Sequence, residues 1–591
     1  MYKDENQLDD FFGLKPDGEE KPHKIRSDSW ATRVRNRIRL IPKVLSFKER
    51  YLIFAFLLIA IGSIISIPFT AYHHFTKEAP NYGSSFNEGI VGEPRHVNPL
   101  LSQTNDADRD LVSLVYSGLM KYSENGKLVP DLAKSYEISS DGLNYTIYLR
   151  DDALWHDGTK VTADDVVYTI RTAQDSDYGS TQKINWLGVE VEKINDTTLM
   201  FKLKNKYAQF LNNLTIGILP MHIWQDIKPI NFALSDYNLK PIGSGPYKFK
   251  KIVTTEAGIK SYQLESNNNY YSGRPYIDNI TFSFYGSEDE MIDAYNKNEI
   301  SNISFVSPEN LKKVKFQKRI NIQRLEMPRY FAAFFNLNQS TILGDKNIRL
   351  ALNRATDKKD LINKVLNGEG LVVDSPLIPG ILDISTSIKK YDFDIDAAKK
   401  ILEASGWGNP NKDGILTKKK ETLKLKLTTS SWPELSMAAN ILKEQWKKIG
   451  VDLEVEALPT PALQQAIKER NYEILLFGEI LNIDPDPFSL WHSSQKREPG
   501  LNLALYDNKT ADTLLEEARQ TLNPLERINK YNDLQNLIID DMPAVFLYDP
   551  IYLYNQTKDI KGYNNKIISM PSDRFSNVEK WYISTKRTFN K

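Results

Sequence analysis

PDLAKSYEISSDGLNYTIYLRDDALWHDGTKVTADDVVYTI, residues Pro130–Ile170, is the stretch whose reading decides the fold. Tyr136–Ile138 and Asn144–Leu149 alternate apolar and polar side chains, the period of a half-buried strand, and Ser140-Asp141-Gly142 between them is a turn. The spacing predicts a β-hairpin. Thr162 and Asp165 stand at capping-box distance, and Val166, Val167 and Ile170 give the helix that follows an apolar face.

Working outward, Phe86–Val91 reads as a strand, Gly92–Leu100 as a loop and Asp108–Met120 as a helix. Downstream, Val189–Ile194 and Thr198–Leu203 are strands, Tyr207–Leu214 is helix-like, and Gly243–Tyr247 is a tight Gly/Pro turn. Ile280–Tyr285, Glu288–Lys297 and Ile303–Val306 form a β-α-β unit. After Pro328 the pattern alternates: strands at Phe331–Asn336, Thr422–Thr428, Val451–Ala457 and Glu473–Phe477, with helices such as Glu434–Ile449 and Pro461–Arg470 between them. Such alternation marks a partly parallel sheet with helices on its faces.

Several short motifs fall in one order along the chain: Gly92-Glu93-Pro94, Asn98-Pro99, Pro130-Asp131-Leu132-Ala133, Trp155-His156-Asp157-Gly158, Gly243-Ser244-Gly245-Pro246-Tyr247, Phe335-Asn336-Leu337-Asn338, Arg349-x-Ala351-Leu352-Asn353, Asp484-Pro485-Asp486 and Asp541-Met542-Pro543. On these residues the chain resembles the peptide-type extracellular solute-binding proteins of ABC importers (solute-binding protein family 5, the dipeptide, oligopeptide and nickel binder group), over about Ser85 to Asp549. The resemblance implies an α/β, two-lobed periplasmic-binding-protein-like fold with an extra small domain. The implied layout is residues 86–126, 241–327 and 544–591 in lobe I, 127–240 in the small domain and 328–543 in lobe II, with crossings near Glu326–Pro328 and Met542–Ala544.

Ahead of that region lies YLIFAFLLIAIGSIISIPFTAY, Tyr51–Tyr72, without one charge. At 1.5 Å per residue it spans roughly 33 Å as a helix, enough to cross a hydrocarbon core. Residues 21–50 hold ten Lys/Arg and residues 73–90 only Lys77. The positive-inside rule therefore leaves residues 1–50 in the cytoplasm as a basic, disordered tail, with room for a short amphipathic helix near Trp30–Leu45, and exports everything after Tyr72, beginning with the 73–85 linker. A cleaved secretory signal is the competing reading; the apolar run is longer than a signal's, and no small-x-small site follows it.

Composition narrows the function. Lys+Arg and Asp+Glu both number 76, so the basic excess that nucleic-acid binding needs is missing. There is no cysteine, hence no disulfide, thiolate metal site or lipid-bearing cysteine. H-E-x-x-H, G-x-x-x-x-G-K-[ST] and G-x-S-x-G are all absent, which argues against an enzyme, and no cofactor is expected. Asn409-x-Asn411-x-Asp413-Gly414 has the first half of a calcium loop, but Lys420 stands where the bidentate glutamate belongs, so a polar turn is expected.

What remains is binding. A cleft open to varied peptides holds their shared main chain and offers roomy aromatic walls. The candidate ligand residues are Tyr330, Phe334 and Asn336 on the strand after the first crossing, Trp432 after a strand end, and Glu479, Asp484 and Asp486 in the 478–486 segment; core packing is the alternative for the aromatics, and a proline turn for the two aspartates. The resemblance places an amine-holding aspartate three residues before the acidic-Pro pair, where this chain has Leu481; Glu479 is the nearest substitute. The implied partners are an oligopeptide and ABC permease subunits. A non-peptide solute such as a metal chelate, or a sensor or chaperone on the same fold, remains an alternative reading.

Overall fold

The computed structural model describes residues 30–44, 46–378, 381 and 384–589; most of the expected tail, 1–29, lies outside them. The chain divides into two compact units, 1–79 with 587–591 and 80–586.

In the first unit a helix covers Trp30–Val44, where the basic amphipathic helix is expected. A second, Phe47–Phe75, contains the whole apolar run and continues through Pro68. Its start is fixed by a capping box: the Ser46 backbone N–H donates to Glu49 Oε2 at 2.8 Å. None of its residues is buried, and it is long and apolar enough to cross a membrane. At its far end the Arg587 guanidinium donates to the carbonyls of His73 (3.1 Å) and Thr76 (2.8 Å).

The second unit holds three principal sheets. The first has seven strands in the order Ile320–Leu325, Tyr552–Thr557, Asn302–Ile303, Ser85–Val91, Asn279–Tyr285, Gly258–Ser266, Tyr247–Thr255. Asn279–Tyr285 and Asn302–Ile303 run parallel to Ser85–Val91 on either side of it, joined through the helix Glu288–Asn296. The second sheet has six strands: Gly370–Val372, Ala544–Pro550, Arg329–Phe335, Ile474–Ile480, Lys424–Ser430, Asp452–Leu458. Helices Pro433–Lys447 and Thr460–Glu469 make its parallel crossovers. The third is antiparallel: Ala133–Ile138, Asn144–Leu149, Thr198–Leu203, Val189–Asn195.

The third sheet contains the expected hairpin, with Tyr136 opposite Ile147. Its alternation puts Tyr145, Ile147, Leu199 and Phe201 inward, where Phe210 and Trp186 meet them. Each such side chain contributes about 1.5–3 kcal/mol by leaving water. Between the first and second sheets the outgoing connection is Glu326–Pro328. The return differs from the expected crossing at Met542–Ala544. Ala544–Pro550 is buried throughout and pairs with Arg329–Phe335 and Gly370–Val372, so it belongs to the second sheet, and the chain crosses at Pro550–Ile551. The apolar run AVFLY needs cover on both faces, and only a central strand position provides it.

Two motifs turn out to be halves of one joint. His156 Nδ1 accepts from the Gly243 N–H (3.2 Å), its Nε2 faces the Gly245 carbonyl at 3.1 Å, and its backbone N–H donates to the Gly243 carbonyl at 2.8 Å. Burial lowers the His156 pKa to about 4, so the ring is neutral, with its proton on Nε2. The Gly243 backbone lies so close to the helix Asp106–Val115 that a Cβ there would stand 1.9 Å from the Val115 carbonyl oxygen. Gly243→Ala is accordingly expected to lower stability by about 2 kcal/mol or more, seen as a shifted denaturant midpoint. An unchanged midpoint contradicts the close approach.

Candidate ligand-binding site

A cavity of about 390 Å³ opens where the helix Asp106–Val115, the segment 116–122, residues 212–217 and the C-terminal stretch 569–579 converge; Asn482, from the loop after strand Ile474–Ile480, is its contact with the second sheet's side. Its walls are polar and apolar in nearly equal measure and carry the charged residues Arg109, Lys121, Asp131, Asp573 and Glu579.

Short-range geometry fixes each charge. Lys121 lies in Met120–Tyr122, paired antiparallel with Leu128–Pro130, so the next residue, Asp131, comes beside it: Nζ to Oδ1 is 3.2 Å. Burial opposes the lysine's charge, but Asp131, Tyr270 and Glu579 together outweigh it and hold its pKa above the ordinary value. Arg109 is paired with Asp106 one helical turn earlier. Asp573 Oδ2 accepts from the backbone N–H groups of Ser569 (2.8 Å) and Met570 (3.0 Å), while burial pushes its pKa up to about 6.

The seven sequence candidates lie elsewhere, and none of them lines this cavity. Tyr330 and Phe334 are fully buried in the lobe II core, against Phe546 and Trp491. Asn336 is buried and donates to the Arg470 carbonyl at 2.9 Å. Glu479 is 4% exposed and accepts a hydrogen bond from the Tyr330 hydroxyl, opposite which it sits in the strand register. Strand alternation decides this: Glu479 points inward and Ile480, 70% exposed, points out. The expected amine anchor is thereby withdrawn from the cleft, and Leu481 is buried beside it. Trp432 stands 63% exposed at the carboxyl end of strand Lys424–Ser430. Asp484 and Asp486 each hold an arginine, Arg527 and Arg519, at 2.9 Å. The Pro485 carbonyl between them accepts from Gln209 Nε2 at 3.1 Å and from the Tyr531 hydroxyl at 2.8 Å, so this loop ties Gln209 to the helix Pro524–Asp541. The calcium-like loop is a polar turn in which Asn411 Oδ1 accepts from Asp413 and Ile415.

The residues that do wall the cavity escaped sequence reasoning for a physical reason. Asp131 was visible only as part of a motif. Lys121 and Arg109 are ordinary surface-type residues until the hairpin and helix are placed. Asp573 and Glu579 lie in irregular backbone after Thr557, where no periodicity marks an inward side chain.

The profile of the bacterial extracellular solute-binding proteins, family 5 Middle, matches residues 127–501. The oligopeptide-binding protein AppA of Bacillus subtilis is 30% identical over 521 residues, covering 85% of this chain and 92% of its own length. Its structure with a nonapeptide superposes with a TM-score of 0.67 at 29% identity, over 86% of this chain and all of that one. NikZ of Campylobacter jejuni, in complex with Ni(L-His), gives a TM-score of 0.69 at 30% identity, over 84% of this chain and 99% of that one.

Proposed function

The chain belongs to the family 5 bacterial extracellular solute-binding proteins, and we propose that it is a membrane-tethered receptor which captures oligopeptides outside the cell and delivers them to an ABC permease. The cavity, lined by five charged side chains and reached by Asn482 from the second sheet's side, is the observation that supports this reading. Ligand contact with both lobes favours the closed form, and that differential affinity is what drives closure. No step of it breaks a covalent bond; transport energy comes from ATP hydrolysis in another subunit. Trp432, at the carboxyl end of a parallel strand, is proposed as an outer wall for ligand side chains, the usual location of ligands in such sheets.

Native mass spectrometry of the full chain purified in detergent tests the ligand class. Co-purified peptides are expected; a nickel chelate or haem in their place overturns the peptide reading. The helix Phe47–Phe75 is proposed as a single-pass anchor with the amino terminus in the cytoplasm. Because the chain has no cysteine, single labels at Ala31→Cys and Lys468→Cys report sidedness cleanly. An impermeant maleimide on intact cells is expected to label position 468 and spare 31; the reverse pattern rejects the topology. A second reading, a sensor on the same fold, is favoured by one observation: the basic helix Trp30–Val44 ahead of the anchor. A cytoplasmic partner recovered with that segment, and no bound ligand, is its expected signature.

A further inference from the structure

We infer that Glu579, on the lobe I wall of the cavity, is the anchor for a positively charged nitrogen of the bound ligand. This rests on the peptide-receptor reading and names the group the site selects. Glu579 lines the cavity and is only 7% exposed, yet its carboxylate has no hydrogen-bond or ion-pair partner among the described residues. Its main chain is fixed: the Glu579 carbonyl accepts from the Tyr276 N–H at 3.4 Å, and Val578 beside it is buried. Facing the cavity without a fixed donor, this carboxylate is placed to pair with a cation arriving from the ligand, a charge-assisted hydrogen bond.

The charges around it leave the position open. Arg109 is committed to Asp106, and Lys121 to Asp131 at 3.2 Å. Lys121 feels Glu579 electrostatically but makes no ion pair with it. Asp573 is occupied by two backbone N–H groups. The cavity wall therefore carries surplus negative charge, and Glu579 is the acid without a fixed donor. Among the described residues, lobe II supplies the cavity with Asn482 and no carboxylate. Among the described residues no group of three acidic or histidine side chains surrounds a common point, which favours a hydrogen-bonding organic cation over a metal ion. A primary ammonium fits: three donors, compact, and readily paired with a single carboxylate. It is either a peptide α-amino group or a basic side chain.

The test uses the full chain in detergent and three mixed-sequence pentapeptide libraries: free amino terminus, N-acetylated, and N-acetylated without Lys and Arg. Retained peptide is quantified by mass spectrometry for wild type, Glu579→Gln and Glu579→Asp. Wild type is expected to retain ammonium-bearing libraries about ten- to a hundredfold better than the library without ammonium groups, the range of one charge-assisted hydrogen bond. Loss on acetylation alone assigns the α-amino group; loss only when Lys and Arg are also omitted assigns the side chain. Glu579→Gln is expected to abolish the discrimination while its melting temperature stays at the wild-type value, and Glu579→Asp, which keeps the charge but shortens the reach, to fall between. Equal retention of all three libraries by wild type, or undiminished discrimination in Glu579→Gln, overturns the assignment and leaves the receptor reading intact. Wild type retaining no library at all overturns both.

Discussion

Replacing Arg574 with leucine is expected to cost about 3–5 kcal/mol or more, enough to unfold the receptor part of the chain at physiological temperature. Arg574 is wholly buried in lobe I between Glu88, 0% exposed, and Asp110, 2% exposed. Its Nη1 and Nη2 reach the two Asp110 oxygens at 2.7 and 2.5 Å, and Nε and Nη2 reach Glu88 Oε1 at 3.3 and 3.2 Å. The Tyr554 hydroxyl donates to the other Glu88 oxygen at 3.1 Å, and the Phe575 ring lies 4.2 Å from the guanidinium carbon. The three charged residues come from the first strand of the sheet, the first helix of the lobe and the chain's last fifty residues, so the cluster ties distant sequence together. One cation serves two acids. Removing it leaves two carboxylates without a counter-charge in a medium that cannot solvate them. Arg574→Lys keeps the charge but loses the forked geometry and is expected to recover only part of the stability. Glu88→Gln is expected to be mild. Burial already raises the Glu88 pKa to about 7, so the folded protein tolerates its neutral form. Chemical denaturation of the three variants ranks them; an Arg574→Leu protein as stable as wild type refutes the account.

Most of the motifs that made the family legible in the sequence are parts of the scaffold; Asp131 is the charged motif residue that also lines the cavity. Asn98 turns the loop before the first helix by accepting from the Leu100 N–H at 3.0 Å. Arg349 reaches across to the carbonyls of Met542 and Asp541 at 2.8 and 2.7 Å, joining two motifs almost two hundred residues apart in sequence. His156 and Gly243 make a third such joint. These residues perform the same task whatever the ligand, which is why they identify a fold and say little about its cargo. Hairpins, caps and the alternating lobe II pattern were legible because each is written in local periodicity. The return crossing was not, because Pro543 suggests a break while the apolar run after it demands a central strand. The site was illegible for a related reason. Whether a strand's acidic residue faces core or cleft depends on register, and a one-residue change of register exchanges the two faces. Glu479 and Ile480 illustrate that exchange.

Glu479 gives the second large effect. Its carboxyl is buried in the lobe II core, hydrogen-bonded to Tyr330 on one oxygen and without a partner on the other, with Tyr472 the next ionisable group to feel its charge. Burial raises its pKa from 4.5 to about 8, and the Tyr330 bond lowers it only in part. The unfolded chain releases this proton near pH 4.5 and the folded chain near 8. Between those values the unfolded state binds fewer protons, so the contribution to stability is complete below about pH 4.5, declines as pH rises to about 8, and is level beyond. At about 1.4 kcal/mol per pKa unit the loss amounts to a few kcal/mol. Glu479→Gln keeps the shape and removes the titration. It is expected to match wild type at pH 4.5 and to exceed it by a few kcal/mol at pH 9, measured as denaturant midpoints along a pH series. A residual slope will persist in the variant, because Asp549, raised to about 8, and Glu88, raised to about 7, titrate over the same interval in the same direction. Parallel curves for the two proteins sink the assignment of a buried, proton-bearing Glu479. The same variant separates core from cleft: peptide retention is expected to be unchanged in Glu479→Gln while it falls in Glu579→Gln, because only the second carboxylate opens onto the cavity.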